Sequence, residues 1–377
     1  MDRRDFLYLG AVAGLAGLGR RPSFAGLAPA AAGRAAAAEA GDDALWLNWN
    51  ENPLGLAPAA RQAILEALAR AHRYPDDARE RLIEALAARH GVAEESIVLG
   101  AGSTQILQMI VLAAGSPGAP LVMAEPTFEA VLHYRRPLAY EVVRVPLDAR
   151  FAHDLERMRQ AIPAGRPALV YLCNPNNPTA TLTPSAEIDA WIEEAPETVL
   201  FAVDEAYHEY VRAPGYHSAV KWVERPNVVV TRTFSKIYAM AGLRLGYAVA
   251  HPATARRLEE FGSSDNANGP VLAAALAALG DRDLVPRSRA ANERAKRITL
   301  DCLDELGLAY LPSHANFLMH RVPGDLGAYR RRMEERGIHV GRPFPPLTSY
   351  NRLSLGLPQE MERFAEVLRD FRARGWV

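Results

Sequence analysis

The stretch Thr198-Val-Leu-Phe-Ala-Val-Asp-Glu-Ala-Tyr207 decides the fold. Its run from Val199 to Val203 is short and apolar on both faces, rich in residues that favour strands, and Asp204-Glu205 ends it. A strand apolar on both faces is covered on both, as in a parallel sheet flanked by helices. In such sheets ligands settle beyond the carboxyl ends of the strands, where Asp204 stands.

Runs of the same kind recur at 97–99, 121–124, 142–145, 168–172, 228–231 and 246–250. Helix-length segments separate most of them, among them 104–113 and 184–194, the latter with Thr183 as the expected N-cap. Asp77 with Glu80 three residues on predicts a capping box opening a helix that Gly91 closes. The alternation predicts an α/β fold: a large domain whose mainly parallel seven-stranded sheet is flanked by helices. After Gly269 the pattern changes to a long Ala-rich helical region at 271–306, strands at 316–320 and 352–355, and a closing helix at 359–374. This predicts a smaller α+β domain. The expected division is a leader at 1–40, an arm at 41–75 that joins the small domain, the large domain at 76–270 and the small domain at 271–377.

The 377 residues are 49% hydrophobic and 23% charged, enough for a large buried core. A net charge of −1, from 43 basic and 44 acidic residues, gives no electrostatic case for nucleic acid or an anionic membrane. Small molecules are the expected partners. Cys173 and Cys302 lie far apart without metal-ligand spacing, so buried thiols and no metal are expected. The first forty residues differ in kind. Arg3-Arg4 precedes a mild apolar stretch from Leu7 to Gly19, then an Ala-rich region with small-x-small sites between Ala28 and Ala40. This resembles a bacterial twin-arginine signal, and the stretch is too short and mild for a stable membrane anchor. The expected location is periplasmic, or cytoplasmic if the segment is no signal.

Lys236, in Thr231-Arg-Thr-Phe-Ser-Lys236, is one of three lysines in a chain that otherwise writes its cations as arginine. A desolvated lysine can lose its proton and form a Schiff base with a carbonyl, which arginine cannot. Gly100-Ala-Gly-Ser-Thr104 joins a strand to a helix, and exposed N–H groups there can bind a phosphate with the hydroxyls of Ser103 and Thr104. Arg244, eight residues after Lys236, and Thr233, three before it, can reach the same anion. Asp204 can hold a pyridine nitrogen protonated, Tyr207 and Asn177 can meet a phenolic oxygen, Phe128 can stack on a ring, and Arg352 can grip a carboxylate. Each has a plainer reading alone: an N-cap Asp, a core aromatic, an Asn-Pro turn, a solvated arginine. Their order and spacing carry the argument.

That ordered set resembles the fold-type I pyridoxal-phosphate aminotransferases, from about Asn48 to the C-terminus. Asn50-Glu-Asn-Pro53, Arg73-Tyr-Pro-Asp76, Asn174-Pro-Asn-Asn-Pro-Thr179, Asp204-Glu-Ala-Tyr207 and Ala241-Gly-Leu-Arg-Leu-Gly-Tyr247 read as signatures of the histidinol-phosphate aminotransferase branch. The resemblance implies the class I/II aminotransferase fold, pyridoxal 5'-phosphate as cofactor, and transfer of an amino group from an amino acid or related amine to a 2-oxo acid. It implies a Schiff base on Lys236, Asp204 on the ring nitrogen, and Tyr207 and Asn177 on the ring oxygen. Ala101, Gly102, Ser103, Thr233, Ser235 and Arg244 would hold the phosphate, with Phe128 over the ring. Tyr74 would reach that phosphate in a second subunit, which makes a homodimer the expected unit. Arg352, Asn52 and Arg342 would hold the substrate. The branch pattern is broken where Leu54 replaces Tyr, Ala180 replaces Gly, and Val340-Gly-Arg-Pro-Phe-Pro-Pro346 replaces its Val-Arg. The last change bears on whether histidinol phosphate is the donor. Two further readings share the sequence: another pyridoxal-phosphate reaction on this fold (decarboxylase, lyase or cyclising enzyme), and a secreted binding protein without catalysis.

Overall fold

The computed structural model describes residues 44–115, 118–135 and 140–377, so the twin-arginine-type segment lies outside the described residues. The described strands are β1 (Leu45–Leu47), β2 (Ile97–Gly100), β3 (Pro120–Glu125), β4 (Glu141–Pro146), β5 (Ala168–Cys173), β6 (Val199–Asp204), β7 (Val228–Thr233), β8 (Gly246–Ala250), β9 (Phe317–Arg321), β10 (Ile338–Val340) and β11 (Tyr350–Ser354). Strands β2 to β8 make one seven-stranded sheet in the order β2-β8-β7-β6-β5-β3-β4. Only β8 runs against its neighbours β2 and β7. The α/β class and the mainly parallel sheet are those the alternating runs predict.

Strand alternation sorts the side chains into two buried layers. Along β6, Phe201 and Val203 enter one layer with the helices Asp76–His90, Ser185–Glu194 and Gly269–Gly280. Ala202 enters the other with the helices Ser103–Ala113 and Pro252–Glu259. Trp191 meets Phe201 edge-on at 5.1 Å in the first layer. Truncating such a core aromatic to Ala costs about 3–5 kcal/mol. Asp204 falls on the face of Ala202, and so do Tyr171 and Cys173 of β5.

The remaining strands form two small sheets: β1 parallel to β10, and β9 antiparallel to β11. They pack with the helices Leu284–Glu305, Leu326–Glu335 and Pro358–Ala373 around Leu318, Phe364, Leu368 and Phe371. Three-residue strands carry too little periodicity to be read ahead of the structure, and β1 and β10 are of that length.

Three local expectations are corrected. The helix Asp76–His90 starts on Pro75 with no side-chain cap, so the Asp77/Glu80 box does not form; Gly91 closes it at φ 67°. Asp76 and Asp77 sit in its first turn, where the helix dipole favours acidic charge. Thr183 does not cap Ser185–Glu194, because its hydroxyl accepts the His153 N–H at 3.0 Å and pairs with His153 Nδ1 at 2.7 Å. The long helical region is two helices, Gly269–Gly280 and Leu284–Glu305, separated where Asp281 Oδ1 accepts the Asp283 N–H. Cys173 and Cys302 are buried and free.

Candidate active site

Strand β7 ends at Thr233, and the chain then turns so that Ser235 stays buried while the Lys236 side chain is only partly so. The turn is held locally: Thr233 Oγ1 accepts the Ser235 N–H at 3.1 Å. Arg244 lies in the left-handed region at φ 61°, a strained place for a side chain with a Cβ. Its guanidinium donates to Ala241 O at 2.9 Å and Ser235 Oγ at 3.3 Å. It also lies over Gly102, where a Cβ would come within 2.2 Å of Arg244 Nη2. Gly102, at φ 79°, is the cap residue of the helix Ser103–Ala113 and supplies no side chain to that helix start. Gly246 opens β8 against the same turn, where a Cβ would stand 2.2 Å from Ser103 N. The two glycines bring a helix start and an arginine together as an anion cradle. Within it the Ala101 N–H is donated to Gln105 Oε1 at 2.6 Å.

Lys236 Nζ donates to two carbonyls of the N-terminal arm, Asn50 O at 3.0 Å and Trp49 O at 3.3 Å, and lies 5.6 Å from the Tyr207 ring centre. Burial, then the positive charge of Arg352, pushes its amine down from 10.5 to about 8, against the pull of Glu51. Such an amine is neutral often enough near physiological pH to act as a nucleophile or base.

Asp204 is buried at the end of β6. Tyr171 Oη donates to its Oδ2 at 2.9 Å, while Thr231 Oγ1 (3.0 Å) and the Ala206 N–H (3.3 Å) donate to its Oδ1. Burial raises the carboxyl pKa, and these donors pull it back toward the anion. Tyr207 is buried edge-on to Phe317 at 5.0 Å, and its hydroxyl accepts from Asn50 Nδ2 at 3.1 Å. Arg352 on β11 donates to Asn177 Oδ1 and to Asn48 O, each at 2.7 Å. This leaves the amide nitrogen of Asn177 as the end able to donate. Arg352 Nε is a buried donor without a partner among the described residues, a cost that an arriving anion would relieve.

Phe344 lies beside two guanidinium groups, Arg352 at 4.6 Å and Arg342 at 4.2 Å from its ring centre. Arg342 pairs with Glu129 at 2.9 Å, and both side chains are more than half exposed. Phe128, next to Glu129, is partly buried against the second core layer. Tyr74 stands apart from these groups on the surface, 78% exposed.

Asn52 is engaged within the chain. Its Nδ2 donates to Ile237 O at 2.9 Å and Ser288 Oγ at 3.1 Å, and its Oδ1 accepts the Leu54 N–H. The side chain therefore ties the arm to the segment after Lys236, with no donor left for a substrate. Asn50 is the arm residue at the centre. It touches Tyr207, its carbonyl meets Lys236, and its backbone and side chain bond Ser354 Oγ. It sits at φ 55°, which Asn tolerates better than most residues, and that preference in Asn50-Glu-Asn-Pro53 was the signal available in the sequence.

A depressed amine, an anion cradle walled by glycine and arginine, and a buried carboxylate converge from β2, β6, β7 and the arm. These three groups fit the carbonyl, phosphate and ring nitrogen of pyridoxal phosphate, and Arg352 adds an anion grip. Residues 42–368 match the family profile of Aminotransferase class I and II. The histidinol-phosphate aminotransferase of Moorella thermoacetica is 38% identical over 335 residues, 88% of this chain and 86% of that one. A solved structure from Erwinia carotovora atroseptica superposes with a TM-score of 0.87 at 38% identity, covering 89% of this chain and 98% of that one. The histidinol-phosphate aminotransferase of Sinorhizobium meliloti, solved in complex with pyridoxal-5'-phosphate, superposes at 0.82 with 28% identity, covering 94% of this chain and 100% of that one. By family profile, by sequence and by the chemistry of its site, the chain belongs to the class I and II aminotransferases.

Proposed function

We propose that this pyridoxal-phosphate-dependent aminotransferase takes its amino group from a histidinol-phosphate-like donor, an amine that carries an anionic group, and passes it to a 2-oxo acid. The observation that carries the reading is the depressed amine of Lys236 in one site with Asp204 and the unpartnered Nε of Arg352. Similarity to the Moorella and Sinorhizobium enzymes supports the donor class. When bound, pyridoxal phosphate supplies the carbonyl that takes up the amine and the ring that accepts electrons from the donor carbon. Lys236 Nζ would hold that carbonyl and carry the proton of the donor Cα. Asp204 would keep the ring nitrogen protonated, and Tyr207 and Asn177 would hold the ring oxygen. Gly102, Ser103, Ser235 and Arg244 would hold the phosphate. Arg352 orients the acceptor carboxylate, and Arg342 takes the outer anionic group once Glu129 releases it.

The test is a donor panel on the coloured, cofactor-loaded protein. Histidinol phosphate should bleach the visible band, and a 2-oxo acid should restore it. Release of carbon dioxide without bleaching would identify a decarboxylase instead, and bleaching by neutral amines alone would exclude the anionic donor. The exposed apolar side chains Trp49, Leu65, Leu68 and Tyr74 suit a second copy of the chain, whose site Tyr74 would complete. A monomer at working concentration in gel filtration would refute this. Arg3-Arg4 and the apolar stretch behind them serve as a twin-arginine export signal. The double change Arg3→Lys, Arg4→Lys should trap the protein inside the cell, and export of that variant would refute the assignment.

A further inference from the structure

Asp204 has a donor set that its place on a ring nitrogen does not by itself require. A carboxylate offers about four acceptor positions. The Thr231 hydroxyl and the Ala206 N–H occupy Oδ1, and the Tyr171 hydroxyl occupies one position on Oδ2. By this count the open position lies on Oδ2, beside Tyr171. Tyr171 is fully buried on β5, two residues before Cys173, the register partner of Asp204. Its phenol is a permanent donor, because burial and the neighbouring Asp204 charge both oppose its ionisation.

We propose that Tyr171 is a positioning residue for transamination: its hydroxyl pins Oδ2 of Asp204, reserving the remaining acceptor position of that oxygen for the ring N–H of pyridoxal phosphate. This rests on the reading of Asp204 as the partner of the ring nitrogen. Without the Tyr171 hydroxyl the carboxyl is free to rotate, and it loses a charge-assisted bond where water cannot replace it. The proton shared with the ring then moves toward Asp204, and the ring becomes a poorer electron acceptor. Substrate contacts are untouched, so kcat falls while the donor KM holds.

The experiment uses pyridoxal phosphate isotopically labelled at the ring nitrogen, bound to the full-length protein. In Tyr171→Phe the nitrogen resonance should move toward the unprotonated position, and cofactor Kd should rise about 10–100-fold, the loss of one hydrogen bond to a charged group. Thr231→Val, which strips Oδ1 instead, should move the resonance the same way and serves if Tyr171→Phe does not fold. Tyr140→Phe removes another buried hydroxyl, bonded to Val111 O at 2.9 Å, and should leave the resonance in place. A wild-type resonance and affinity in Tyr171→Phe, or an equal shift in Tyr140→Phe, overturns the proposal. Asp204→Asn separates the two levels. If it leaves the resonance unmoved, the reading of Asp204 fails; if it moves the resonance and Tyr171→Phe does not, only the role of Tyr171 fails.

Discussion

Replacing Lys236 by Met in the cofactor-free protein should change stability in a way that depends steeply on pH. In the folded chain the amine is held near 8, and in the unfolded chain it returns to 10.5. Between those values the unfolded chain binds a proton that the folded chain does not, so wild-type stability rises with pH across this window. Below pH 8 both states are charged, and the fold carries the full cost of a partly buried ammonium. The gap from 10.5 to about 8, at about 1.36 kcal/mol per pH unit, puts that cost at about 3 kcal/mol. Met removes it and also forfeits the bonds to Trp49 O and Asn50 O, about 1 kcal/mol each. The variant should therefore be about 1 kcal/mol more stable than wild type at pH 7 and about 2 kcal/mol less stable near pH 10.5. Urea unfolding of both apoproteins, followed by tryptophan fluorescence at several pH values, measures the difference. Other titrating groups cancel in the comparison, so the slope belongs to Lys236. A difference constant from pH 7 to 10.5 would refute the claim that the site depresses this amine.

Three other substitutions probe the surroundings. Glu129→Gln releases Arg342 from an exposed pair, so stability should change by less than about 0.5 kcal/mol. The KM for a phosphate-bearing donor should fall several-fold at low salt, and an unchanged KM would remove Arg342 from the substrate site. Gly246→Ala drives a Cβ to 2.2 Å from Ser103 N and 2.7 Å from Gly102 C, backbone atoms that cannot yield cheaply. Overpacking of this kind costs about 1–3 kcal/mol, so cofactor binding by equilibrium dialysis should weaken about tenfold or more; wild-type affinity would show that the cradle does not depend on this contact. Asn50→Gly keeps the left-handed turn but drops the side-chain bonds to Tyr207 and Ser354. It should lower kcat about tenfold or more in steady-state assays, the loss of buried hydrogen bonds, and full activity would mean that the arm is only a tether.

The central sheet was legible because its strands are long enough to show both-face apolar runs and are separated by helix-length segments. Asp204, Tyr207 and Arg244 were legible because their neighbours form ordered motifs. Short-range motifs say little about what two distant segments do to each other, and the harder features are of that kind. Asn50 and Asn52 are two residues apart in one motif, and only the fold shows that Ser288 and Ile237 engage one while Tyr207 and Lys236 meet the other. Tyr171 reads as one more strand aromatic until β6 is placed beside β5. Arg232 carries no signal of its own in the sequence, yet it is buried 2.7 Å from Glu205, a pair whose one-sided removal costs about 3–5 kcal/mol. The Asp77 capping box failed because Pro75 takes the cap position.

The pairing of β1 with β10, and of Asn50 with Ser354, sets a timetable for the newly made chain. Those contacts join segments about three hundred residues apart, so they form only when the chain is almost complete, after the arm's other partners Tyr207, Ile237 and Ser288 have been made. Until then Lys236 lacks the neighbouring charge of Arg352, which after burial is the second cause that lowers its amine. The shift of this amine toward its neutral form is therefore completed only late in synthesis. A chain cut short before β10 would keep Lys236, Asp204 and Arg244 and lack the Arg352 charge that helps to lower the amine.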